Sequence, residues 1–367
     1  MPSLDLLRSL TDEHVLRALM GQRRLTRAEL AAQTGISKPT VSESVRRLCA
    51  AGLVADTGER TTGRGRVGSY YALAREVGCA LVLGVAPEGI HAEVLDAHGD
   101  VVAAANGSVE RPARPGQVLD VLTAVARRAV ADAARRVRLA VMSAADPVDR
   151  DTGRLVHLPD APFLIGELAP AEVLAELVEG SVLVDNDVNW AARAERTAAD
   201  ARLDDFVYLY LGEGLGCAVV NDGIVRRGHA GLVGEIAHVI TVGPGDRAVP
   251  FTEVFEALGV RHPGSTAIDD EALLAAIRAD DREARATVSE AVCGVLAALV
   301  ALADPEVVVI GGTWGNDPIV LDAVATRFAD APRHVPVRPA RLTEQAALNG
   351  ARTHALDALR ADIANLG

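Results

Sequence analysis

The sequence predicts an α/β chain, with a small winged helix-turn-helix head in front of a larger two-lobed body. Three observations carry this expectation. The first 75 residues set helix caps and a Gly/Arg-rich hairpin at winged-helix spacing. Past residue 76, a strand–turn–strand–hairpin–strand layout occurs and recurs about 125 residues later. Helices follow each copy, which implies two similar lobes with a cleft between them.

In the head, His14–Met20 carries Val15, Leu16, Leu19 and Met20 at helical spacing and ends near Gly21. Thr26-Arg27-Ala28-Glu29 has the form of a capping box, opening a short second helix through Leu30, Ala31 and Ala32. Gly35 ends that helix, and Ile36 is expected as a buried turn residue. Ser37 caps a third helix, whose first turn accepts Pro39 because no amide partner is needed there. Val41, Val45 and Leu48 form its inner face. Two helices joined by a short Gly-containing turn make a helix-turn-helix, whose second helix reads the major groove. Gly52-Leu53-Val54 starts a strand, Ser69–Leu73 ends one, and Glu59–Gly68 between them is a wing with a flexible Gly/Arg tip. The plainer alternative is a small helical bundle with a basic loop. The agreement of caps, turn, third helix and wing favours DNA binding, with Ser37, Lys38, Thr40, Ser42, Ser44 and Arg46 in the major groove and Arg64 and Arg66 in the wing.

Charge divides the chain in the same place. Residues 1–75 hold 12 Lys plus Arg against 7 Asp plus Glu, while the remainder holds 25 against 43, within a net −13. A basic head on an acidic body implies that only the head meets a polyanion. Lys38, in the head, is the only lysine. At 367 residues, two or three domains are expected. Aromatics make up 3% against 49% apolar residues, so the cores must be built from Ala, Val and Leu. No run approaches the roughly 18 uncharged apolar residues of a membrane span, and Asp5 and Arg8 interrupt the N-terminal apolar stretch, unlike a signal peptide. A cytoplasmic protein that meets no membrane is expected. Cys49, Cys79, Cys217 and Cys293 are scattered in apolar contexts without a CxxC pair, so buried thiols are expected rather than disulfides or a cysteine zinc site.

In the body, Phe206–Leu211 is a buried-strand run that breaks at Gly212-Glu213-Gly214-Leu215-Gly216. Cys217–Val220 then leads to the hairpin turn Asn221-Asp222-Gly223. Ala80–Ala86, Ile90–Leu95 and Val101–Ala105 are the matching strands of the first copy. Val118–Ala134 is an amphipathic helix, and Ser181–Val184 is a strand that delivers Asp185-Asn186-Asp187-Val188-Asn189 to its carboxyl end, where α/β proteins place ligands. Ala286–Leu302 is a long apolar helix, stopped by Asp304-Pro305. Val307–Ile310 is a buried strand ending in Gly311-Gly312.

Asn186-Asp187-x-Asn189, Gly212-x-Gly214-x-Gly216, Gly234-Glu235-Ile236-x-His238 and Gly311-Gly312, in that order, resemble the ROK family of repressors, open reading frames and sugar kinases. The resemblance covers nearly the whole chain. It implies an actin-like/hexokinase-like two-lobed body behind a winged helix-turn-helix, with domains at 1–75 and 76–367. The lobes would be roughly 76–184 with the C-terminal helix, and 185–350. In family kinases the aspartate matching Asp187 is the general base for the sugar hydroxyl, which requires a carboxylate within hydrogen-bond reach. Asn186, Glu235 and His238 match sugar-contacting positions, Asp160 stands near a sugar-binding Asn, and Glu253 matches a further sugar-contacting glutamate. By itself Asp187 would also suit a helix N-terminus, where the dipole stabilises a carboxylate.

The departures are equally specific. The family's first phosphate loop, Asp-x-Gly-Gly-Thr, is replaced by Ala86-Pro87-Glu88-Gly89-Ile90, which loses the carboxylate and an amide donor. Glu213 stands where the kinases have Thr, and a carboxylate in a phosphate cradle repels the anion. The family's zinc segment, with its three cysteines, is replaced by Val242–Pro250, leaving only His238 of a four-ligand site. The expectation is therefore a DNA-binding transcriptional regulator, a repressor rather than an enzyme, with no cofactor and no metal. It would act as a homodimer or homotetramer on a double-stranded operator and sense a sugar or sugar phosphate. An ATP-dependent sugar kinase with a DNA-binding head, and a regulator with a decayed ligand site, stay open as alternatives.

Overall fold

The computed structural model describes residues 4–62, 67–111, 113–158, 162–163, 167–198, 203–279 and 282–366. The head comprises α1 (Leu4–Gly21), β1 (Leu25–Thr26), α2 (Arg27–Thr34), α3 (Lys38–Ala50), β2 (Val54–Arg60) and β3 (Ser69–Leu73). Thr26 accepts from the Glu29 amide while the Glu29 carboxylate accepts from the Thr26 amide, so the capping box forms. Gly35 closes α2 at φ 72°, and Ser37 caps α3. Helix α1 is longer than its apolar stretch, starting at Leu4, and Ile36 is half-buried rather than buried. β1 pairs with β3, adding a third strand to the wing sheet. The wing arginines Arg64 and Arg66, like Asp160 of the body, lie outside the described residues.

Ser44 corrects the expected DNA-contact set. It is fully buried, and its hydroxyl donates to Asp12 of α1, which also accepts from Arg47 Nε (3.1 Å) and Nη2 (2.6 Å). Val41, Ser44, Val45 and Leu48 form one inward stripe, so Ser44 holds α3 on α1 instead of facing DNA. Asp12→Ala would leave Arg47 only the more distant Glu43 (3.9 Å) and the buried Ser44 hydroxyl without its acceptor, and we expect a loss of about 3 kcal/mol in stability by chemical denaturation. A loss below about 1 kcal/mol would mean that solvent screens the network.

The body begins with β4 (Cys79–Ala86), β5 (Gly89–Leu95), β6 (Val101–Gly107), α4 (Pro115–Ala133), β7 (Val137–Ala144), α5 (Pro170–Leu174), β8 (Val182–Asn186) and α6 (Asp187–Ala198). It continues through β9 (Phe206–Leu211), β10 (Leu215–Asn221), β11 (Ile224–Val225), β12 (Ile240–Gly243), β13 (Arg247–Pro250), α7 (Phe251–Ala257), α8 (Asp270–Arg278) and α9 (Arg282–Ala303). It ends with β14 (Val307–Gly311), α10 (Pro318–Phe328), β15 (Val337–Pro339) and α11 (Ala346–Ala364). One sheet runs β6-β5-β4-β7-β8 and the other β11-β10-β9-β14-β15, each with an antiparallel meander joined to parallel strands. The repeat in the sequence is therefore a repeat of strand order. Asn221-Asp222-Gly223 makes its hairpin with Asp222 and Gly223 both at positive φ, as a two-residue primed turn requires.

The long apolar helix α9 has the length and composition to cross a membrane, contrary to the expectation that no run would. Val288, Ala291, Val292, Val295, Leu296 and Val300 on it form the second-lobe core with Phe251, Phe255 and Trp314.

The head is not tethered by a loose linker. Its core residues Leu16, Leu19, Val45 and Leu48 run without a break into Ala80, Val82, Leu139 and Val141 of the first sheet and Ala351, Ala355, Leu359 and Ile363 of α11. Arg23 reaches Asp100 (2.8 Å), and His98 Nδ1 lies 3.3 Å from the Met20 carbonyl. Helix α11 packs on α1 on one side and on α6 on the other.

Candidate functional site

β8 runs past Val184 to Asn186 and α6 already begins at Asp187, so the corner falls inside the segment expected to follow the strand. The Asp187 carboxylate accepts from the Val188 amide (2.7 Å), and Asn186 Oδ1 accepts from the same amide (2.9 Å). Asn186 Nδ2 reaches back to the Asp146 carbonyl (3.3 Å), tying the ends of β7 and β8 together. Asn186 therefore positions the corner as well as lining the cleft. Asn189 is buried and donates to Asp185 (2.9 Å), below the cleft floor, so it supports the corner and faces no ligand. Asp185 also receives Arg193 (2.8 Å) and Arg227 (3.3 Å), which keeps a buried carboxylate neutralised.

From the second lobe, Gly234 sits at φ 106° with its Cα so close to β10 that a Cβ would stand 1.9 Å from the Cys217 carbonyl oxygen. Only glycine permits this approach. It brings Glu235 and His238 against the cleft. Glu88, Asp146, Asn186, Asp187, Glu213, Glu235 and His238 together line a cavity of about 170 Å³ between the lobes. A second cavity of about 580 Å³ adjoins it on the side of Gly312 and Thr313 and shares Glu88 and Asp187. Glu253 does not join them: it is exposed on α7, and its neighbour Thr252 lines the cavity instead.

Burial lifts the Asp187 carboxyl to about 7, and the charges of Asp146, Glu235 and Glu88 add to this against the Val188 amide. Glu235 keeps solvent contact but lies between the lobes, and desolvation with the Asp146 charge lifts it to about 7 as well. Two carboxylic acids poised near neutrality can each hold or accept a proton from a ligand hydroxyl. Across the cleft mouth, Arg111 of the first lobe pairs with Glu213 of the glycine turn. Behind the second cavity, burial opposes the charged Glu93 carboxyl, but hydrogen bonds from Arg352 (2.5 and 2.6 Å) and His91 (2.7 Å) outweigh it and hold it low.

Asp146 is the cleft residue that the sequence pattern missed. It lies two residues past the end of β7, and the rule that singles out Asn186 and Asp187 at a strand's carboxyl end applies to it equally. In the place of the family's zinc segment, β12 and β13 pair as a hairpin around Pro244-Gly245-Asp246. That place holds no cysteine, and among the described residues His238 does not join two further His, Cys, Asp or Glu side chains in a metal-holding group, so the residues present do not fit a structural zinc.

A winged helix-turn-helix fused to two repeated α/β lobes around a cleft defines a DNA-binding protein of the actin-like/hexokinase-like class. Residues 86–253 match the ROK family model, and residues 8–55 match a winged helix-turn-helix DNA-binding model. Residues 86–253 thus form a ROK-family region behind a winged helix-turn-helix head. The chain is similar to the xylose repressor of Caldicellulosiruptor bescii (21% identity over 65% of this chain and 60% of that one). An N-acetylmannosamine kinase of Escherichia coli is 28% identical over 54% of this chain and 69% of that one. The chain thus spans about three-fifths of the length of the xylose repressor it matches. Among solved structures, a ROK-family transcriptional regulator homologous to the E. coli MLC protein aligns over 98% of this chain and all of that one (TM-score 0.66, 17% identity). A ROK hexokinase from Thermus thermophilus aligns over 75% of this chain and 96% of that one (TM-score 0.58, 26% identity).

Proposed function

We propose that the protein is a transcriptional repressor whose cleft senses a sugar and whose head binds operator DNA as a homodimer or homotetramer. The observation that carries this is the unbroken core from the head through α11 to α6, the helix that begins with Asp187. A ligand that shifts α6 acts on the element supporting the head, and coupling of this kind needs only two arrangements that the ligand binds unequally. Lys38, Thr40 and Arg46 are exposed on α3 and would face the major groove, with Ser37 as the cap and Ser42 at the edge. Fluorescence anisotropy on the operator, with and without a sugar panel, tests the proposal. A sugar that lowers affinity in the native protein but not in Asp187→Ala supports it, and no sugar response in either favours a regulator with a decayed ligand site.

Lys38→Ala is expected to weaken operator binding several-fold and to flatten its salt dependence, because a phosphate contact contributes to the salt slope. Arg64→Ala and Arg66→Ala are expected to do the same through the wing. An unchanged salt slope would remove the substituted residue from the interface.

The kinase alternative draws on the kinase relatives and on Asp187 matching the catalytic base. Against it, the described lining of both cavities carries Glu88 and Asp187 and no Lys or Arg to meet a triphosphate. Sugar-dependent ADP release in a coupled assay would overturn the regulator-only reading.

A further inference from the structure

The charge of the cleft restricts its ligand further than the sugar reading does. The smaller cavity is lined by five carboxylates, Glu88, Asp146, Asp187, Glu213 and Glu235, and the larger one shares two of them. Neither has a Lys or Arg among its described lining residues. The adjacent stretch 159–166 contains neither residue in its sequence. Arginines around the cleft are engaged: Arg111 with Glu213, Arg261 with Thr252 and Glu256, Arg352 with Glu93 and Arg227 with Asp185. Of these, only Arg111 meets a lining carboxylate, and it does so at the cleft mouth. The cavity of about 170 Å³ is below the usual range of about 300–1,000 Å³ for drug-sized ligands, which fits a single sugar ring.

We propose that this cleft selects an unphosphorylated sugar bearing a protonated amine, and that it rejects sugar phosphates. The proposal rests on the sugar-sensing reading of the same site. The cavity and the Asn186–Asp187 corner supply the site, and the charge of the lining supplies the selection. A phosphate dianion placed here meets several carboxylates and no Lys or Arg of the described lining, with Arg111 already held by Glu213, so it loses both Coulomb energy and charge-assisted hydrogen bonds. A neutral sugar satisfies the acceptors with its hydroxyls but brings no charge to offset the carboxylates. An ammonium satisfies them as a three-donor cation and relieves their mutual repulsion. Burial chiefly, with a smaller part from neighbouring acids, holds the Asp187 and Glu235 carboxyls near 7.

Isothermal titration calorimetry on the full chain at pH 7.5 tests this with glucose, mannose and galactose, each as the free sugar, the 2-amino-2-deoxy sugar and the 6-phosphate, and with xylose as a further neutral ligand. The expected result is that one amino sugar binds at least 10-fold tighter than its neutral parent, and that the matching phosphate binds at least 10-fold weaker than that parent. Glu213→Gln should shrink the gap between amine and phosphate several-fold, which a merely structural role for Glu213 would leave unchanged. Equal binding of amine and parent, or a phosphate as tight as its parent, overturns the proposal while the sugar reading stands. Binding by no member of the set removes both.

Discussion

Gly350→Ala is expected to lower the free energy of unfolding by about 3 kcal/mol, whereas Gly116→Ala should change it by less than about 1 kcal/mol. A Cβ on Gly350 would stand 2.0 Å from the Trp190 carbonyl oxygen and 2.7 Å from its carbon, at the crossing of α6 and α11. These are backbone atoms of a packed helix, so relief requires the helices to separate. Helix propensity alone favours Ala over Gly by up to about 1 kcal/mol, so the clash decides the sign. Gly116 has open space around its Cβ position and serves as the control. Urea denaturation measures both. Because α11 also supports α1 of the head, operator affinity should fall with stability. A stable Gly350→Ala variant with normal operator binding would mean that the α6–α11 crossing is not a rigid link.

Acidification from pH 8 to about 5 is expected to stabilise the unliganded protein. Asp187 has a carboxyl near 7 in the folded chain against an ordinary value of 3.8. Between those values the native state holds a proton that the unfolded chain has released, so stability rises as pH falls through 7 and levels off near 4. Three units at about 1.4 kcal/mol each set an upper bound of about 4 kcal/mol, and partial solvent contact reduces the expected gain to about 2 kcal/mol. Glu235 works in the same direction. Carboxylates held low by partners, such as Glu93 with Arg352 and Asp317 with Arg278, act oppositely at lower pH, where their pairs are lost. Asp187→Asn keeps the shape of the corner and removes its titration, so its stability profile from pH 8 to 5 should be flatter. A slope unchanged in that variant would assign the effect to other groups.

What could be read from the chain alone was local. The Thr26/Glu29 capping box, the Gly35 stop, the Ser37 cap and the Asn221-Asp222-Gly223 hairpin depend on residues within four positions of one another. Backbone geometry over such spans is set by the residues themselves, so these features needed no partner. The repeated strand pattern likewise announced two similar sheets, since each copy carries its own alternation and turns.

The assembly of distant pieces decided the rest. Ser44 looked like a groove-facing polar residue, yet its partner Asp12 lies 32 positions away and turns it inward. The spacing 41/44/45/48 held a clue, but a serine in an inward stripe is legible only once its acceptor is in place. Asn189 has the same history with Asp185, and Glu253 lost its expected place because a hairpin precedes α7 and leaves that residue on the outer side. The cleft itself is a product of the fold: Asp146, Asp187 and Glu235 come from separate stretches, and burial there, with the charge of neighbouring acids added, raises the Asp187 and Glu235 carboxyls. The head's attachment to α11 joins the two ends of the chain through one apolar core. Hydrophobic burial is non-directional, and the sequence marks which faces must be covered without marking what covers them.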